Sequence, residues 1–528
     1  MSPSRQLPDR PSLEHLKKDA KRLLRDAQIG DTEALRRFAT LPDYAGLSAA
    51  ALQMHDLKLH DAQSVVAREH GFDSWNALRD EIETGGLSLE AAAEALAQAA
   101  TDGGLARARH LLTRYPTVTR ASWHAALVSG DAEAAWPLLD ADPGLATGAG
   151  GPREWPPLLY VCHTCLHRDA LDRAAGLVEI ARELLARGAD PNAEFQWNWH
   201  PELPRTALWG ALCAMRHQPL ATLLLEAGAR PTDGVTGHIA AGGGDIEALE
   251  LLHRFGFDPN GLPGGVPPLA YMLTWSETPD GARWLVEHGA DPNRPWGERG
   301  DTPLHLAAQR WDIAMADLLV THGADVNARR LDGATPHTVA ALQGNVEVAN
   351  WLLENGAADE RTPLERFVSA CAQGNAPAAD ALLTSHPSFR HELRAEHHRM
   401  LDRPAERGDV RVLETMLTRG FDPRVGDKDQ VMPLHRAAMA GQVEATRVLL
   451  AHGAPIDALD GMFAATPLVW AVEGRRHSGD GADHVGVARV LIAAGSPLDW
   501  TPPAGAPDVE GTLDGLAAIR SEAARAVG

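Results

Sequence analysis

The chain has 528 residues and a formal net charge of −22, with 44% hydrophobic and 5% aromatic residues. That balance excludes wholesale disorder and argues against nucleic acid or an anionic membrane surface as partner, since both require clustered positive charge. Four cysteines cannot staple a chain of this size, and no run approaches the roughly 20 apolar residues of a membrane span, so a reducing, cytoplasmic setting is expected.

Lysine occurs only at 17, 18, 21, 58 and 428, and arginine supplies the other basic residues, a usage that points to a GC-rich, bacterial genome. The first thirty residues carry Lys17, Lys18, Lys21, Arg22 and Arg25 with no apolar core, so no secretory signal peptide is expected. Residues 11–38 read as two helices broken at Ile29-Gly30-Asp31. Residues 58–83 read as a further pair turning at His70-Gly71-Phe72. Residues 1–85 hold 12 Lys and Arg against 14 Asp and Glu. A helix-turn-helix DNA reader is therefore disfavoured, and a helical N-terminal cap is expected.

Beyond residue 85 a period sets the architecture. Residues 301–328 read DTPLHLAAQRWDIAMADLLVTHGADVNA; 334–357 and 431–454 repeat the scheme. Glycines 256, 289, 323 and 356 fall 33 or 34 apart, and Gly420 and Gly453 resume the spacing. Thr302 and Pro303 suit a helix start. Leu304, Leu306, Ala307 and Ala308 make a short apolar helix. Ile313, Ala316, Leu318 and Leu319 form the stripe of a second helix. Gly323 suits its left-handed end, and Asp325 and Asn327 a turn. Twelve units follow: 86–118, 119–148, 149–192, 193–232, 233–260, 261–294, 295–328, 329–361, 362–393, 394–427, 428–460 and 461–499. Extra residues interrupt the period between Pro157 and Gly188 and between Thr466 and Gly495. A polar-aromatic finger, EFQWNWHPELPR, occupies 194–205.

The TPLH opening and the GAD-x-N close resemble the ankyrin repeat, over about four fifths of the chain. The N-terminal block is similar to the segment that precedes such arrays in bacterial ankyrin-repeat proteins. The resemblance implies an all-α ankyrin-repeat solenoid of about twelve helix-turn-helix units with helical caps. Four stretches are expected: a helical N-terminal segment at 1–85, degenerate repeats with insertions at 86–260, the best-matching repeats at 261–460, and a last repeat with an insertion and a C-terminal helical cap at 461–528. In this family His305 is expected to bridge neighbouring turns by hydrogen bonds.

The resemblance also implies a non-catalytic scaffold that binds a protein partner along the fingers and the inner faces of first helices, with no cofactor. By that counting the partner-binding candidates are Trp197, Trp199, Trp296, Glu298, Arg299, Asp301, Gln309, Arg310, Trp311, Arg329 and Arg330. Trp311 stands where the pattern expects glycine, as either a packing residue or an anchor. Trp284 and Trp351, inside second helices, are expected to pack. The acidic charge favours a basic or mixed-charge protein partner, and a monomer is favoured. A host-targeted adaptor is the alternative within the same scheme. A metal-dependent enzyme would need Cys162-x-x-Cys165 with His163 and His167, placed on one face of a first helix; a second ligand pair is missing. His391-Glu392 is followed by His397 and His398 at the wrong spacing for a zinc protease. Gly242-Gly243-Gly244 lies between repeat helices and reads as a turn.

Overall fold

A computed structural model describes residues 7, 11–55, 57–168, 171–197, 200–477, 482–497, 500, 512, 515, 516 and 519. The chain divides into two compact units, Met1–Pro268 and Leu269–Gly528.

The first unit opens with helices Leu13–Gln28 and Thr32–Phe38. Gly30 takes φ +87° between them, and the Asp31 carboxylate accepts the Ala34 N–H at 2.8 Å, starting the second helix. Helices Leu59–Glu69 and Trp75–Thr84 form the expected second pair. A short helix, Ala49–Gln53, lies between the pairs; its few apolar residues gave no periodic signal. The block has its own core, with Leu16, Leu23, Phe38, Leu52, Val65 and Leu78 buried. It meets the first repeat through Trp75–Thr84: Arg114 pairs with Glu81 at 2.7 Å, and the Tyr115 hydroxyl donates to the Thr84 carbonyl at 2.6 Å.

Five helix pairs follow in this unit. They are Leu89–Thr101 with Leu105–Arg114, Trp123–Ser129 with Ala132–Ala141, Pro157–Cys162 with Leu171–Ala186, Ala207–Trp209 with Gln218–Glu226, and Thr236–Gly242 with Ile246–Arg254. The fourth first helix continues as a wide π turn, Gly210–Ala214. Gly244, φ +65°, makes the expected turn after Thr236–Gly242. The finger at 194–205 is a β-hairpin: Glu194–Trp197 pairs antiparallel with His200–Thr206, with Phe195 opposite Arg205. These are the only strands among the described residues.

The second unit continues with the helices Pro303–Arg310 and Ile313–Thr321, Pro336–Leu342 and Val346–Glu354, and Pro363–Ala372 and Ala376–Ser385. Asp402–Arg407 and Val410–Leu417, Pro433–Met439 and Val443–Ala451, and Pro467–His477 and His484–Ala493 complete it. Helix Pro268–Trp275 crosses the division between units and is followed by Asp280–Glu287. The expected all-α stack of helical hairpins is thus what the chain forms. Neither helix of a pair buries its stripe alone: Leu434, Ala438, Leu449, Leu468, Val487 and Leu491, from two successive pairs, share one core. Of the C-terminal stretch only a few residues are described; Thr512, Leu516 and Ile519 are buried.

The repeat motif does two kinds of work. Gly323 at φ +95° ends its helix, with the Ala324 N–H reaching back to the Leu319 carbonyl at 2.9 Å. Between repeats, side chains grip the neighbour's backbone. Nδ1 of His305 accepts the Thr302 N–H at 3.2 Å and lies 2.8 Å from the Thr302 hydroxyl, while Nε2 faces the Ala334 carbonyl at 3.0 Å. A carbonyl only accepts, so Nε2 carries the hydrogen and the ring is neutral. His238 reaches Val266 and His435 reaches Ala465 in the same way, at 2.6 and 3.2 Å. Asn327 was expected only to favour a turn. Its side chain also spans to the next repeat, donating to the Gly356 carbonyl at 3.1 Å and accepting the Ala358 N–H at 2.9 Å. Asn293 and Asn192 make the same two contacts one repeat onward.

Candidate protein-binding face

The second unit carries an aromatic group at its first two hairpins. Trp275, the last residue of Pro268–Trp275, is 56% exposed. Tyr271 lies one helical turn before it, with ring centroids 4.8 Å apart. Trp296 meets Trp275 edge-on, with centroids 5.5 Å apart and planes at 71°. Trp296 is held by a tight finger in which Trp296 and Asp301 exchange backbone hydrogen bonds at 2.9 Å. Gly297 and Gly300, both with positive φ, make the turn between them.

The sequence-derived candidates divide on inspection. Glu298 and Arg299 are exposed at the fingertip, and the Arg299 carbonyl accepts the Leu331 N–H of the next finger. Trp296 belongs to the aromatic group, and Arg310 is exposed at the end of its helix. Trp311 has a packing role: its indole N–H donates to the Leu273 carbonyl at 2.8 Å and fastens one repeat to the previous one. Asp301 and Arg330 are joined to each other at 3.1 Å, and Asp332 holds Arg330 from its other side at 2.7 Å. These two therefore brace adjacent fingers. Arg329 is exposed and pairs with Glu360 at 2.5 Å. The Gln309 carbonyl accepts a hydrogen bond from Arg403. Trp197 ends the first hairpin strand; its side chain, and Trp199 altogether, lie outside the described residues. Trp284 is buried and stacks on His288 at 3.9 Å, while Trp351 is half-buried.

Sequence reasoning missed Trp275, Tyr271 and Leu331, the last 82% exposed on its finger. The signal for Trp275 was present. Helices Pro268–Trp275 and Pro303–Arg310 have equal length, so Trp275 stands where Arg310 does.

The cysteine cluster does not have the expected geometry. Helix Pro157–Cys162 ends at Cys162, and Cys165 begins a separate 3₁₀ turn. The break in the helix removes the common face. Cys162 is fully buried, and burial pushes its thiol pKa up; Cys213 is half-buried, and desolvation pushes its thiol up to about 12. A thiol so raised is a poor thiolate ligand or nucleophile at neutral pH. Among the described residues no three His, Cys, Asp or Glu side chains are grouped to hold a metal.

Around these cysteines lies a ladder of rings. Trp155 stacks on Phe195 at 4.2 Å, His163 stacks on Trp209 at 5.7 Å, and Arg205 covers Trp209 at 4.2 Å. Nε2 of His163 donates to the Thr206 carbonyl at 3.1 Å. Burial lowers the His163 pKa to about 4. The depressed value leaves folding unpenalised above pH 6.5, where both states are neutral. Below that, the unfolded chain takes up a proton that the folded chain refuses. Between pH 6.5 and 5 the first unit should lose about 2 kcal/mol through this residue alone. Denaturant unfolding at the two pH values, with the His163 ring protons followed by NMR, checks this. A His163 resonance titrating near pH 6.5 would contradict it.

A cavity of about 260 Å³ in the second unit is lined by residues that include Met439, Phe463, Val469, Trp470, Trp500 and Glu473. It is smaller than the roughly 300–1,000 Å³ of ordinary ligand pockets. Its carboxylate is already engaged by Thr512 and Arg476. No helix among the described residues is long and apolar enough to cross a membrane.

Comparison with known proteins gives one consistent result. The family model for ankyrin repeats in three copies matches residues 237–330, 273–363, 304–394 and 401–498. The single-repeat model matches 162–194. Together the matches cover more than half of the chain. Similar curated proteins include rabankyrin-5 of Mus musculus, 28% identical over 196 residues, which are 34% of this chain and 17% of that protein. Ankyrin repeat and SOCS box protein 5 of Oryctolagus cuniculus is 36% identical over 111 residues, 21% of this chain and 33% of that protein. The 2-5A-dependent ribonuclease of Mus musculus is 44% identical over 59 residues, 11% and 8% of the two chains. The chain thus spans a third or less of each of these relatives.

Proposed function

Because this chain belongs to the ankyrin-repeat family, we propose that it is a non-catalytic scaffold that holds a partner protein on the inner face of its repeats. The observation that carries this reading is Trp275, a large aromatic side chain left more than half exposed and propped by Tyr271 and Trp296. A rigid exposed indole offers contact area at little conformational cost, and tryptophan and arginine anchors dominate interface energies. The stack fixes these groups before a partner arrives, which lowers the ordering cost of binding. The fingertip residues Glu298, Arg299 and Leu331 extend the same face. The site acts as a monomer in a reducing, cytoplasmic setting, in keeping with four free cysteines.

The test is affinity capture with the full chain against a variant carrying Trp275→Ala and Arg299→Ala. Both side chains are exposed, so the variant should melt as the parent does. Its bound partner should be retained about thirtyfold more weakly, the loss typical of an interface anchor. An unchanged capture profile removes the assignment.

A further inference from the structure

The net charge of −22 does not describe the inner face of the second unit. Arg403 and Arg407 lie four residues apart on helix Asp402–Arg407, so they share a side. Arg403 donates to the Gln309 carbonyl, 94 residues earlier in the chain. That contact sets the repeat-ten arginines beside Arg310, the residue after Gln309. Arg310 donates to the Thr274 carbonyl at 2.6 Å and lies over Trp311.

Arg403 is half-buried and Arg310 and Arg407 are exposed, and all three are placed unlike the half-buried arginines elsewhere in the unit. Arg330 holds Asp301 and Asp332, Arg361 holds Asp359 at 2.9 Å, and Arg419 holds Asp380 at 2.7 Å. Among the described residues, Arg310, Arg403 and Arg407 have hydrogen bonds to carbonyls or none, and no carboxylate pairs with them. The arrangement is visible in Arg403. Burial, with the charges of Arg407 and Arg310, lowers its pKa to about 10, and Glu406 alone among its neighbours opposes the shift. Asp402, next in the chain, does not balance the cluster: burial raises its own pKa to about 7. The cluster also touches the aromatic group, since Arg310 bonds the carbonyl of Thr274, the residue before Trp275.

We propose that this face, at repeats six, seven and ten, docks an acidic peptide segment of a partner protein. Its carboxylates meet Arg310, Arg403 and Arg407, and a neighbouring large apolar side chain rests on Trp275 and Trp296. The assignment rests on the scaffold reading above and names the chemistry of its partner. It is compatible with a partner that is basic elsewhere: net charge steers the approach at long range, while contact chemistry is local.

Selection of a random peptide display library on the purified full chain tests it. Selected peptides should combine Asp or Glu with a nearby Phe, Trp or Leu. Synthetic versions should bind Arg407→Glu about tenfold more weakly, as expected for a partly buried charge pair, and should weaken as salt rises. Arg407 is exposed and bonds no other described side chain, so its variant should keep the parent's circular dichroism and melting curve; Arg310→Glu gives a second reading. Basic winners, or acidic winners indifferent to both variants, overturn the inference. If such winners still depend on Trp275, the scaffold reading stands without it. Winners indifferent to Trp275→Ala as well remove both. Replacement of the selected acids by phosphoserine should not improve binding tenfold; if it does, the site takes phosphate and the carboxylate assignment fails.

Discussion

Gly176→Ala is expected to destabilise the first unit by about 3 kcal/mol, although alanine is the better helix former. Propensity alone would stabilise the helix by about 1 kcal/mol. The structure reverses the sign. A Cβ at Gly176 would lie 2.0 Å from the carbonyl oxygen of Gly130, and one at Gly130 would lie 2.4 Å from that of Arg173. Helix Leu171–Ala186 crosses the end of Trp123–Ser129 backbone against backbone, and no side chain can rotate out of the way. Overpacking of this kind typically costs about 1–3 kcal/mol, and more where backbone must move. Gly188→Ala is the control. Gly188 has φ +94° and open space around its Cα, so only the left-handed penalty applies, about 1–2 kcal/mol. Thermal and denaturant unfolding of both variants should give a clearly larger loss for Gly176. A stabilised Gly176→Ala protein would show that the helices do not cross this closely.

Asp460→Ala should have a comparable effect in the second unit, on the order of 4 kcal/mol. Asp460 is 3% exposed. One carboxylate oxygen accepts the N–H groups of Met462 and Phe463 at 2.8 and 2.6 Å. The other accepts the Ala465 N–H at 3.1 Å and the Trp470 indole N–H at 2.9 Å. Removing the carboxylate strands four donors at once, and the alanine offers nothing in return. It also frees the turn in which Ala464 takes φ +47°, a conformation that costs energy without outside support. Asp460→Asn should fall between the two, because its NH₂ group must face two of the four donors. The midpoint of urea unfolding measures the loss, and Trp470 fluorescence should move to longer wavelength as the indole is released. An Asp460→Ala protein with the parent's midpoint would mean that the turn holds without its carboxylate.

The period of 33 residues made the repeat architecture legible, because each hairpin must solve the same packing problem with the same small set of residues. Helix starts at Pro303, Pro336 and Pro433 and ends at Gly323 and Gly356 could be placed from local chemistry alone. What stayed hidden depended on contacts between distant residues. Asn327 reads as a turn former because its second role uses the backbone of residues 356 and 358. Asp301 and Arg330 look like free fingertip charges until the fingers are brought side by side. Trp311 breaks the glycine pattern in a way that fits a contact surface as well as a packing role, and only the position of the Leu273 carbonyl separates them. Arg403 lies in a weakly patterned repeat, and its meeting with Gln309 depends on how the second unit curls, which no local window contains.

The asparagine clamps bear on how such a chain can change length. Asn293 and Asn327 each hold only main-chain groups of the following repeat, and Asn192 makes the same two main-chain contacts while also accepting Nε of Arg230 at 3.2 Å. Main chain is common to every unit, so the clamp carries no memory of which neighbour it was made for. Duplication or loss of a whole unit by recombination leaves every clamp with a valid mate, whereas a cut inside a unit strands one. Ancestral arrays of this type can therefore grow and shrink in whole steps, while the loops beyond the clamp, such as the 194–205 hairpin, are left to diverge.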